Sequence, residues 1–108
     1  MYIMTVVIIE ETLLKKIVNI LIELELFNST ILDGEAPETF AVEALPIFKE
    51  LAGIIEEESV YNKTIICHVP DIKTIEKFVK ICFEEGIDFE KEGIGWVMAN
   101  KCCYFKGF

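Results

Sequence analysis

Ten consecutive residues of this chain, Leu14 to Glu23, read without a gap against ten others, Ile75 to Glu84. The offset is 61 residues, and it pairs Leu14-Lys15-Lys16-Ile17-Val18 with Ile75-Glu76-Lys77-Phe78-Val79. Carried backwards, the same offset lays the apolar run Tyr2 to Ile9 on Lys63 to Pro70. Carried forwards, it lays Gly34 on Gly95. A strand, a helix and a second strand therefore occur twice, and such a duplication restricts the chain to βαβ-βαβ arrangements.

The simplest such arrangement is an α+β, ferredoxin-like antiparallel sheet with both helices on one face. At 108 residues there is room for one domain, which can bury enough surface to fold without disulfides or metal. Tyr2 to Ile9 is β-branched or apolar at nearly every position and reads as a strand buried on both faces. Thr12 is a candidate N-cap for the helix that follows, whose apolar positions Leu14, Ile17, Val18, Leu21 and Leu24 carry it to about Leu26. Asn28 turns the chain, and Ser29 to Asp33 form a strand ending at Gly34.

Between Gly34 and Asn62 the two-fold pattern lapses. A hairpin would suffice there, so the connection holds an insertion. Gly34 to Glu38 reads as a polar loop and Thr39 to Ala44 as a short strand. Pro46 opens a helix with Phe48, Leu51, Ala52 and Ile55 on one stripe, ending near Glu56-Glu57-Glu58. Thr64 to Val69 is the third strand. Asp71 caps a helix with the stripe Ile75, Phe78, Val79, Cys82 and Phe83, and Gly86 stops it. Gly93-Ile94-Gly95 leads into the fourth strand, Trp96 to Ala99, and Cys103 to Phe108 form a short apolar tail.

Charge narrows the function classes. Ten lysines stand against 19 carboxylates, the chain has no arginine, and the net charge is −9. Gripping a phosphate backbone needs clustered cations, so a nucleic-acid partner is not expected from this composition. No stretch reaches the roughly 18 apolar residues of a membrane span, and the N-terminal apolar run lacks a basic leader, so a cytoplasmic protein is expected. Cys67, Cys82 and the adjacent Cys102-Cys103 do not form a spaced framework and are expected to be free thiols.

Two strands that are apolar on both faces need cover on both. Two helices cover one face, and further copies of the chain cover the other more completely than the spare helix can. A homo-oligomer is therefore expected.

The order of motifs, Leu32-Asp33-Gly34, then Leu45-Pro46-Ile47-Phe48, then Asn62-Lys63-Thr64-Ile65-Ile66, then Gly93-Ile94-Gly95, resembles that of the PII-like signalling proteins, relatives of the nitrogen-regulatory PII proteins. The resemblance extends over nearly the whole chain. It implies a homotrimer with inward-facing sheets, a ligand cleft between subunits that takes an adenine nucleotide, and a loop after the second strand that reports occupancy to a partner protein. Residue by residue, it places the loop base at Gly34, the loop at Glu35 to Ala44 and the phosphate-facing turn at Gly93-Ile94-Gly95. Trp96 follows that turn and is placed either to stack on a base or to pack in the core, and Lys101 is a nearby cation. The chain departs from the family in having no lysine directly after the glycine turn, no arginines near the C-terminus, and Glu35, Glu38 and Glu43 in the loop.

The ligand-binding residues expected on these grounds are Gly34, Gly93, Gly95, Trp96 and Lys101. Cys67 and His68 are consecutive in a strand and point to opposite faces, which argues against their holding one metal ion, and no metal site is expected. His68 itself reads as a satisfied or edge-facing side chain. A single histidine, and carboxylate runs at helix ends, leave no catalytic constellation, so no enzyme activity and no catalytic residues are expected. Beside the sensor stands the alternative of an oligomeric interaction or structural module without a ligand. Light scattering should give a species several times heavier than the 12.4 kDa chain; a stable monomer would overturn the oligomer.

Overall fold

A computed structural model describes residues 1–44 and 61–107. The elements are β1 (Tyr2–Ile8), a 3-10 turn (Glu11–Leu13), α1 (Leu14–Glu23), β2 (Ser29–Glu35), α2 (Pro37–Ala44), β3 (Tyr61–Val69), α3 (Ile72–Glu84) and β4 (Gly95–Lys101). The four strands form one antiparallel sheet in the order β2-β3-β1-β4. This is the expected α+β, ferredoxin-like architecture with a helix inserted between the second and third strands. The expected helix from Pro46 lies outside the described residues.

The two long helices pack on one face of the sheet. Ile17, Ile20 and Leu21 of α1 and Ile75, Phe78 and Cys82 of α3 close over Met4, Val6 and Ile8 of β1 and Ile65, Cys67 and Val69 of β3. Side chains alternate across a strand, so one face of the central pair supplies this core. The other face carries Ile3, Ile66, Leu32, Trp96 and Met98, each more than a third exposed in the single chain. Val79 and Phe83 do not join the core stripe of α3. They lie about 100° round the helix from Phe78 and Cys82, and Phe83 is 64% exposed.

Register shows where the repeat holds. Thr5 pairs with Ile66, its own equivalent 61 residues on, so the pseudo-twofold axis passes between them. The helix ends obey the same offset. Leu26 N–H donates to the Leu21 carbonyl at 2.9 Å, and Ile87 N–H donates to the Cys82 carbonyl at 2.8 Å. Glu25 and Gly86, the residues just before, both take positive φ, 61° and 88°. Each helix thus ends in the same left-handed turn with a buried apolar residue after it.

The edge strands break the offset. Thr5 pairs with Met98, while its equivalent Ile66 pairs with Thr30, which makes Thr30 and Met98 counterparts 68 residues apart. Gly95 therefore corresponds to Phe27, not to Gly34 as the 61-residue offset suggests. Between equivalent positions, the path from the end of α3 at Glu84 to Met98 is seven residues longer than that from the end of α1 at Glu23 to Thr30. It stabilises itself through the Asp88 carboxylate, which accepts from Glu90 N–H at 3.0 Å, and the Asp88 carbonyl, which accepts from Lys91 N–H at 3.1 Å.

Other expectations also shift. α1 ends at Glu23 rather than Leu26, because the left-handed turn at Glu25 halts it. Thr12 does not cap α1. It lies in the 3-10 turn and donates its hydroxyl to the Glu10 carboxylate at 3.0 Å. Asp71 does cap α3, accepting from both Thr74 N–H and the Thr74 hydroxyl at 2.8 Å, and those bonds hold its carboxyl below the ordinary range. Thr39 to Ala44 belongs to a helix, not a strand: Pro37 suits a first helical turn, and Phe40 N–H donates to the Ala36 carbonyl at 3.1 Å.

Glutamate in the left-handed region is strained where glycine is not. Glu25→Gly should raise unfolding stability by about 1 kcal/mol in chemical denaturation; an unchanged or lower value would refute the strain. Gly95 lies at φ 138°, and a Cβ there would overlap the Val7 carbonyl. Gly95→Ala should lower stability by at least about 2 kcal/mol in the same assay.

Candidate functional site

The strands sort the expected ligand residues to two ends and two faces of the sheet. Gly34 pairs with Asn62 at one end, and Gly95 pairs with Ile8 at the same end on the opposite edge strand. Three strand spacings, roughly 14 Å, separate them. Trp96 pairs with Val7 on the open face and is about half exposed. Lys101 pairs with Tyr2, six residues along β4 from Gly95 and roughly 20 Å from it. Alternation puts Lys101 on the helix-covered face, opposite to Trp96. Within one chain, Gly34, Gly93, Gly95, Trp96 and Lys101 therefore do not form one site.

The two glycines of the turn have different reasons to be there. Gly93 is exposed at φ 85° with open space around it, as a turn or an anion cradle requires. Gly95 is required by the close approach of Val7. Ile94 between them accepts a hydrogen bond from Ile9 N–H at 2.9 Å, which ties the turn to the end of β1. At the base of the segment after β2, Lys63 pairs with Asp33 across the β2-β3 ladder. Its ammonium is held above the ordinary value by that hydrogen bond, with smaller contributions from the charges of Asp33 and Glu11. A shallow hollow of about 270 Å³ lies beside it, lined by Asp33, Gly34, Glu35 and Tyr61. The expected reporting loop, Glu35 to Ala44, instead contains the end of β2 and the helix α2.

The opposite end of the sheet holds what the sequence did not reveal. His68 sits on the central strand β3, on the open face, paired with Ile3. Cys67 beside it points into the core, as strand alternation requires. The Nε2 atom of His68 is buried, and no hydrogen-bond partner among the described residues reaches it. Such a nitrogen costs free energy unless something pairs with it. The reading of His68 as satisfied or edge-facing does not hold.

Two hollows meet at this imidazole. One, of about 290 Å³, has Ile3, Thr30 and Ile66 of the sheet as its floor and Tyr104 and Phe105 of the C-terminal tail as its roof. The other, of about 390 Å³, runs between His68, Asn28, Phe27 and Glu25. The tail is carried there by Cys102, whose N–H donates to the Met1 carbonyl at 3.0 Å and so extends the β4-β1 ladder. The Phe105 ring then lies 4.8 Å from the His68 ring, tilted by 47°. The arrangement suits a planar ring: apolar walls, aromatic faces, and an imidazole nitrogen needing a partner. The only sequence signal for it was a polar aromatic within the apolar run Ile65 to Val69 of the central strand.

All four thiols are free. Burial pushes Cys67 up to about 11 and Cys82 up to about 12. Among the described residues, no group of three or more His, Cys, Asp or Glu side chains is placed to hold a metal ion, and no helix is long and apolar enough to cross a membrane. No protein-family model matches the sequence, and no curated protein matches it.

At pH 8, a thiol reagent should label Cys102 and Cys103 in the native protein and reach Cys67 and Cys82 only on unfolding. Because the two buried thiols titrate higher folded than unfolded, the stability they contribute is complete below pH 9 and falls as pH rises from there toward 11 to 12. Four thiols reacting at equal rates in the native state would contradict this packing.

Proposed function

We propose that this chain is a PII-like small-molecule sensor that works as a homotrimer, takes a planar, hydrogen-bonding ligand of the adenine-nucleotide kind at clefts between subunits, and passes the signal to a protein partner. The observation that carries the reading is the orphaned Nε2 of His68 inside a pocket walled by apolar and aromatic side chains. A nucleobase offers both a ring to stack and an edge to hydrogen-bond.

The division of the glycine turn and the His68 pocket between opposite ends of the sheet supports a site shared by two copies. A phosphate near Gly93 of one subunit and a base at His68 of the next would be spanned by one ligand only across an interface. The exposed apolar residues Ile3, Leu32, Ile66, Trp96 and Met98 are a surface of the kind that such an interface buries. The mechanism would be population shift: ligand contacts made only in one of two arrangements of the chain favour that arrangement, and the partner reads it.

A second reading rests on a specific observation. Phe105 already lies against His68, which is what a ligand-free interaction module with a filled pocket would look like. Thermal-shift measurements against ATP, ADP, AMP, cyclic nucleotides and 2-oxoglutarate separate the two. At about 100 times its dissociation constant, a true ligand adds roughly 2.7 kcal/mol and raises the midpoint, and His68→Ala should abolish that rise. No shift with any of them would favour the module.

A further inference from the structure

The tail that roofs the His68 pocket is weakly held. Among the described residues, no backbone hydrogen bond ties 103–107 to the sheet; the last such bond is from Cys102 N–H to the Met1 carbonyl. The Cys102 thiol turns back on the tail itself, donating to the Tyr104 carbonyl at 3.0 Å. Beyond that, the tail meets the sheet through the Phe105 ring on the His68 ring. Phe105 is nevertheless 44% exposed and Tyr104 80% exposed. The contact is also imperfect chemically. A phenyl ring covers the imidazole but offers Nε2 neither a donor nor an acceptor, so the stack that holds the tail is opposed by the desolvation of that nitrogen.

We propose that Phe105 is a displaceable internal plug of the His68 pocket, so that occupancy is reported by release of the C-terminal tail and not by the segment after Gly34. This rests on the reading that the pocket takes a planar, hydrogen-bonding ring. Such a ring lies against the imidazole where Phe105 lies and also supplies the partner Nε2 lacks. Ligand and plug exclude one another. Closure of the tail therefore weakens apparent affinity by the fraction of molecules that are closed, and binding frees Tyr104 and Phe105, two aromatic side chains suited to contact a partner.

His68 is the only histidine in the chain, so its modification by diethyl pyrocarbonate, followed as the absorbance of the carbethoxylated imidazole, reads one site. The rate should rise about tenfold in Phe105→Ala and stay near wild type in Phe105→Tyr, which keeps the ring. Adenosine is the probe for the pocket, followed by the imidazole carbon-proton signal of His68. Its dissociation constant should fall about fivefold to tenfold in Phe105→Ala. An unchanged modification rate overturns the plug, and so does adenosine binding to Phe105→Ala no tighter than to wild type, since Phe105 would then be a wall of the site. If the rate rises and adenosine binds neither protein, the plug stands as a cover and the nucleoside chemistry proposed for the pocket fails. Circular dichroism checks that the variants fold; if Phe105→Ala does not, Phe105→Leu removes the ring with less loss of volume and carries the same test.

Discussion

Everything else in this fold hangs on the central antiparallel pair of β1 with β3. Met4, Val6 and Ile8 meet Ile65, Cys67 and Val69 on one face, and both helices close on that face alone. Each edge strand is anchored to one member of the pair: β4 to β1, and β2 to β3. The pair thus fixes the register of every other strand. It also determines which residues can meet on the open face, where Ile3 and His68 stand side by side in adjacent strands.

That constraint explains why the candidate site lies where it does. A buried apolar pair admits a histidine only on the face away from the helices, and His68 occupies such a position. The tail reaches the imidazole because β4 runs antiparallel beside β1 and delivers its C-terminal end to the start of β1. The glycine turn is delivered to the far end by the same geometry. Two features that look like parts of one ligand site are therefore held apart within the chain by the length of a strand.

Much of the fold was legible in the sequence because it was written in periodicity. The strand Tyr2–Ile8, the Thr64 to Val69 part of the strand that begins at Tyr61, the two long helices and the cap at Asp71 all follow from local patterns of apolar, polar and capping residues. What escaped was conformation that no pattern encodes. Glu25 terminates α1 in a left-handed turn although nothing but its counterpart Gly86 marks the position. Pro37 opens a helix where Thr39 to Ala44 had been read as a short strand. Val79 and Phe83 have the chemistry of core residues, yet adjacent helical positions compete for one buried stripe and these two lost. The site was less legible still. Gly34, the Gly93-Ile94-Gly95 turn and Trp96 were read at strand ends, and Lys101 beyond a fourth strand that in fact runs to Lys101; the separation of these residues is a property of strand register. The pocket at His68 depends on a tail folding back from the other end of the chain, which a linear reading does not contain.

The seven-residue shift in register between the two edge strands has a consequence for how the halves fit together. Seven is odd, so along β4 the sequence position that the repeat would send to one side of the sheet arrives on the other. In a protein built from two copies of the first half, the twofold would place the fourth strand as β2 is placed; the longer connection of this chain instead sets a different stretch of sequence, Gly95 to Lys101, along β1. The halves share one pattern in their central strands and helices and part company at their edge strands. The odd-numbered extension distinguishes the edge that bears Trp96 and the tail from the edge that bears Gly34, and gives a nearly symmetric sheet a defined left and right.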